Sequence, residues 1–168
     1  MTQLPKDMVL KMIPGAKEKM LDNFSNDGYV SPILFLNLDG ELAIMPQIMF
    51  PTKDHVVAAL EQMILRGNLK EFVMVGEAWT SDDENAMQWM RDGNSLADFA
   101  GSKKEVIHYH YSSPTKEMAG MAEIIRNGED ANIGKWDEGE IKQSDIPATL
   151  LHRVRYNHLW TRAKGATN

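Results

Sequence analysis

The sequence predicts an α+β domain: a two-layer sandwich in which helices pack on a mainly antiparallel sheet of five to six strands. Three observations lead there. The run Lys70–Thr80, KEFVMVGEAWT, is a short apolar stretch rich in β-formers and bounded by turn and charge signals, as an interior strand requires. An Asp39-Gly40 pair separates two apolar runs, a strong short-range hairpin signal. Lys104–Tyr111 alternates, with Ile107, Tyr109 and Tyr111 on one face and Val106, His108 and His110 on the other.

The elements follow in order. Pro5 to Ile13 reads as a short helix that Pro14-Gly15 breaks, and Ala16 to Phe24 as a second helix with an i, i+4 stripe at Ala16, Met20 and Phe24. Tyr29–Leu38 and Glu41–Met45 form the hairpin, closed by Pro46 and Pro51. Lys53 to Arg66 carries Val56, Val57, Leu60, Met63 and Ile64 on one face, with Gly67-Asn68 behind it as a stop. After the Lys70–Thr80 strand, Ser81 serves as N-cap of a helical insert over about 81–101, which Asp92-Gly93-Asn94 divides. Lys104–Tyr111, Lys116–Arg126 and Ile133–Glu138 are three further strands. A basic C-terminal helix over about 145–163 carries Leu150, Leu151, Val154 and Leu159. The helix between the second and third strands must cover a sheet face. This layout resembles the profilin-like and longin-like plan, a likeness of arrangement that settles no function.

At 168 residues the chain has the size of one domain, residues 1–168, able to bury roughly two-thirds of its unfolded surface. Its hydrophobic fraction of 43% and charged fraction of 25% exclude a disordered chain. No apolar run approaches the roughly 20 residues of a membrane-spanning helix, and the N-terminus lacks a signal-peptide core, so a cytoplasmic protein is expected. The absence of cysteine excludes disulfides, thiolate metal sites and thiol catalysis. The net charge of −6 conceals a basic end: Arg153, Arg155, Arg162 and Lys164 stand in an acid-free stretch, on an otherwise acidic chain. Such an end can fold back on its own acidic body or contact nucleic acid.

GYVSPILFLNLDGELAIM, a helix, FVMVGEAW and then KKEVIHYHYSS resembles a pattern in uncharacterised bacterial and phage proteins in which an apolar strand ends in Glu-Ala-Trp. The matching residues are Glu77-Ala78-Trp79, Glu105-Val106-Ile107 and Ile124-Ile125-Arg126, with Gly134-Lys135-Trp136 as a further match, over roughly residues 28–138. The resemblance implies a bacterial or phage-encoded protein and no activity, because such proteins lack an assigned one.

Three functional readings stand. His108 and His110, at i and i+2 of a strand, share a face and could hold one metal ion, zinc by preference, with Glu77 as third ligand or general base of a hydrolase. This resembles the JAMM-type zinc isopeptidases, but the serine and aspartate which that family needs fall on Met118 and Met121. The plainer reading leaves the histidines structural and Glu77 hydrated where its strand meets solvent. Secondly, Arg153, Arg155, Tyr156, Trp160 and Arg162 interleave cations with aromatics, a composition suited to nucleic acid or to a partner. The leading expectation is the third: a non-catalytic binding or assembly protein, without cofactor, acting through a protein partner or self-association. Adaptable methionines at Met8, Met12, Met20, Met63, Met87 and Met90 on helices, or the C-terminal segment, would supply the contact.

Overall fold

Ile33–Leu38 (β1), Glu41–Pro46 (β2), Leu69–Thr80 (β3), Lys104–Ser112 (β4), Glu117–Asn127 (β5) and Asp130–Glu140 (β6) form one antiparallel sheet in the order β2-β1-β3-β4-β5-β6. The computed structural model describes residues 6–141 and 159–160. The predicted α+β sandwich on an antiparallel sheet is therefore present, and the Phe72–Val75 run lies in an interior strand. Asp39 (φ 53°) and Gly40 (φ 90°) both turn left-handed, the conformation of a two-residue type I′ hairpin.

Helical cover falls on both faces of the sheet, so the layers number three where two were expected. Helix Ile13–Asp27 (α1) sets Ile13, Met20 and Phe24 against Val73, Val75, Ile107, Tyr109 and Tyr111. Helix Lys53–Leu65 (α2) sets Val56, Leu60 and Ile64 against Leu34, Leu36, Phe72 and Met74, with Leu159 and Trp160 completing that core. Strand alternation makes this possible, because neighbours such as Phe72 and Val73 face opposite layers. Each fully buried Phe72, Leu36 or Leu60 contributes about 1.5–3 kcal/mol. Helix Glu84–Arg91 (α3) belongs to the predicted insert and builds a small core of its own from Ala86, Met90 and Leu96.

Two local expectations are corrected. Pro14 opens α1 instead of ending a helix: its missing N–H is harmless in a first turn, where no intrahelical acceptor exists. A short 3-10 turn, Leu10–Met12, precedes it. Asp83 caps α3 by accepting from the Asn85 N–H at 2.9 Å, while Ser81 braces the approach by accepting from the Asp83 N–H and donating to the Ser102 carbonyl. Of the expected C-terminal helix, only Leu159 and Trp160 lie within the described residues, and they are helical.

One carboxylate stands in the core. Glu71 on β3 is 2% exposed and shares the face of Val73 and Val75. Its Oε1 accepts from the Leu10 N–H and the Tyr111 hydroxyl, each at 3.0 Å, and its Oε2 accepts from the Asn37 amide at 2.8 Å. Asn37 Oδ1 in turn accepts from the Gly40 N–H at 2.8 Å, fastening the hairpin turn. Burial beside the Glu71 carboxylate pushes the Tyr111 phenol above its usual range. Glu71→Gln puts an amide donor among three donors, so it should destabilise the fold by about 1–3 kcal/mol in urea unfolding. Tyr111→Phe, which removes one of the three donors, should cost less; an unchanged stability in Glu71→Gln would show that Glu71 acts only by filling space.

Candidate functional site

The register of β3 and β4 decides the expected metal site. Met74 pairs with His110 and Gly76 with His108, whereas Glu77 pairs with Ile107. Both histidines thus share the α2-side face, as their spacing predicts, and Glu77 stands on the opposite face. The correction has a simple cause: 77 differs from 74 and 76 in strand parity once the register is known. Glu77 accepts from the Val30 N–H at 2.8 Å and so braces the chain between α1 and β1. Among the described residues no three histidine, aspartate or glutamate side chains are placed to hold a metal ion.

The histidines lie deep. His110 is 1% exposed, edge-on to the Phe72 ring at 6.5 Å, with its Nε2 3.9 Å from Glu117 Oε2. His108 is half-buried as a residue, but its Nδ1 is shielded from solvent. Burial, aided by the nearby His110 ring and Lys53 ammonium, lowers the His108 pKa to about 3. The group is therefore neutral in the folded protein at physiological pH, and its surroundings are those of a core residue.

Trp160, expected in a partner-binding surface, belongs to the core instead. It is 8% exposed, stacks on Phe72 at 6.1 Å and donates its Nε1–H to Ser112 Oγ at 2.9 Å. Arg153, Arg155, Tyr156 and Arg162 lie outside the described residues. The methionines expected on helices divide likewise: Met20 and Met90 are buried, and Met8, Met12, Met63 and Met87 are half-buried.

Two open surfaces remain. One is a depression of about 660 Å³ whose lining includes Lys104, Val106, Ala119, Met121, Lys135 and Asp137. Its cations and anions are mixed: Lys104 approaches Glu123 at 3.8 Å, and Lys103 sits over the Trp79 ring at 4.6 Å. Neither histidine contributes to its wall.

The other is the β2 edge. Among the described residues β2 has one neighbour, β1, and its outer backbone groups face away from the sheet. Leu42 and Ile44 on this strand are 41% and 57% exposed, and Ile48 and Met49, in the 3-10 turn directly after it, are 90% and 67% exposed. Glu41 is the strand's only charged side chain. The opposite edge, β6, carries Asp130, Lys135, Asp137, Glu138 and Glu140, a charged strand of the kind that resists pairing. Sequence reasoning passed over β2 because both faces of ELAIMP are apolar, which reads equally well as a buried strand. The usable signal was the uncharged continuation into Ile48-Met49.

No protein-family model, curated protein or solved structure matches the chain.

The state of His108 is testable through stability. Its folded pKa lies below the ordinary histidine value, so the unfolded chain takes up the proton first as pH falls. Stability attributable to His108 is full above about pH 6.5 and declines toward about pH 3, by about 2 kcal/mol between pH 7 and pH 5. Urea unfolding of the protein and of His108→Gln at those two pH values should show this loss only in the former.

Proposed function

We propose that this protein is a non-catalytic binding or assembly protein that engages a protein partner by strand pairing along β2. One observation carries the reading: an edge strand bearing Leu42 and Ile44, followed by Ile48 and Met49, offers apolar side chains together with backbone that no described strand pairs. A strand edge of this kind is a template for another chain, and main-chain hydrogen bonds supply affinity while side chains supply choice. The described residues hold devices that protect the other edge and leave this one open. The same reading sets the protein in a cytoplasmic, phage-related context, supported by the resemblance at Glu77-Ala78-Trp79.

The hydrolase reading loses its support because Glu77 and the two histidines occupy different faces. A nucleic-acid reading draws no support from β2, which offers no cation to a phosphate.

A photo-crosslinking side chain placed at Ile48 in cells expressing the protein should capture a protein covalently. The same probe at Glu129, in the turn before β6, should capture far less. Equal or no capture from the two positions would remove β2 as the docking edge.

A further inference from the structure

The backbone parity of β2 points to a particular occupant. In a two-residue hairpin the residues flanking the turn, Leu38 and Glu41, form a hydrogen-bonded pair, and such pairs then alternate along the ladder. Glu41, Ala43 and Met45 therefore direct their backbone groups to β1. The Gln47 N–H, bonded to the Pro32 carbonyl at 2.9 Å, continues the same alternation. Leu42 and Ile44 are left with their N–H and C=O pointing away from the sheet, and Pro46, in phase with them, has no N–H to offer.

We infer that the partner seated on β2 is a second copy of this chain, paired antiparallel about a two-fold axis at Ala43; this rests on the reading of β2 as the docking edge. In that register Leu42 of each copy faces Ile44 of the other, and each such pair exchanges both of its backbone hydrogen bonds. Ala43 meets its own counterpart at the axis as a non-hydrogen-bonded pair, where side chains come closest and a small one fits. Pro46 ends the ladder at either side. The pairing is isologous, as two-fold interfaces are.

Charge agrees with this occupant. Glu41, the sole charge on β2, falls opposite Met45 of the other copy and not opposite a second glutamate. Each chain is −6, yet the acidic β6 strands take the outer ends of the joined sheet. At the usual strand spacing they lie roughly 50 Å apart. That is many times the Debye length of about 8 Å at physiological salt, so they do not oppose association. Area agrees as well. Leu42, Ile44, Ile48 and Met49 present on the order of 400–500 Å² of apolar surface, the size of the largest patch an ordinary monomer shows. Doubled by symmetry and joined by the paired backbone, this approaches the roughly 1,200 Å² at which stable interfaces begin.

The test uses the full chain, which has no cysteine of its own. Sedimentation velocity from about 1 to 100 μM should show a dimer, a range spanning standard-size interfaces of modest affinity. Ile44→Lys should raise its dissociation constant by about a hundredfold. The variant's circular dichroism and unfolding midpoint should match those of the parent, because position 44 faces solvent in the monomer. Ala43→Cys should form an intermolecular disulfide on mild oxidation, since the two Cα atoms fall within bridging range, and Glu129→Cys should not. A monomer at every concentration, or bridging equal at the two positions, overturns the dimer. If the Ile48 probe then captures a different protein, β2 remains a docking edge with another occupant. If it captures nothing, both conclusions fall.

Discussion

A single buried carboxylate organises this fold. Glu71 sits where the chain would ordinarily place an aliphatic residue, in phase with Val73 and Val75. An acceptor in that position is tolerable only when donors reach it, since an unsatisfied one would cost more than the packing around it returns. The donors arrive from three separate places: the backbone at Leu10 ahead of α1, the Asn37 amide on β1 and the Tyr111 hydroxyl on β4. Satisfying Glu71 therefore fixes how the N-terminal segment docks and holds β1 and β4 in register on either side of β3. Through Asn37 and Gly40 it also reaches the hairpin, and so the position of β2.

A second polar link secures the far side of the same face. Tyr109 lies across β5 because Gly120 leaves the space; a Cβ there would come within 2.3 Å of the ring. The Tyr109 hydroxyl thereby reaches Glu138 on β6 at 2.8 Å, and Lys17 from α1 joins the same carboxylate at 2.7 Å. The Lys17 ammonium, with the Tyr109 hydroxyl, holds the Glu138 carboxyl below its usual range, while burial next to that carboxylate pushes the tyrosine up. Lys17 also stands 5.1 Å from the Trp136 ring centroid. These contacts tie α1 to β6, so the acidic edge is committed to holding its own helix. Among the described residues, the uncommitted edge is β2.

Much of the architecture was legible because its signals are local. Asp39-Gly40 marked the hairpin, the Val56–Ile64 stripe marked α2, and strict alternation marked β4. Pro14 is ambiguous in the sequence because the first turn of a helix and a helix break ask for the same residue. Glu77 drew notice as the polar residue at a strand's end, while Glu71, in phase with the core valines from the strand's other end, carried the burial. Strand parity alone could have flagged Glu71. It could not have named the donors, which come from residues 34 to 61 positions away.

The sequence by itself determined the strands and the helix between β2 and β3, where the tight turn falls, and that the two histidines share a face, since backbone preference and side-chain alternation act over a few residues. Only the tertiary structure decided which strands are neighbours. Pairing register sent Glu77 to the face away from His108 and His110, packing between distant segments drew Trp160 into the core against Phe72, and strand order left β2 with a single partner among the described residues. Those outcomes depend on contacts between segments far apart in the chain, and no local pattern encodes the order in which strands meet.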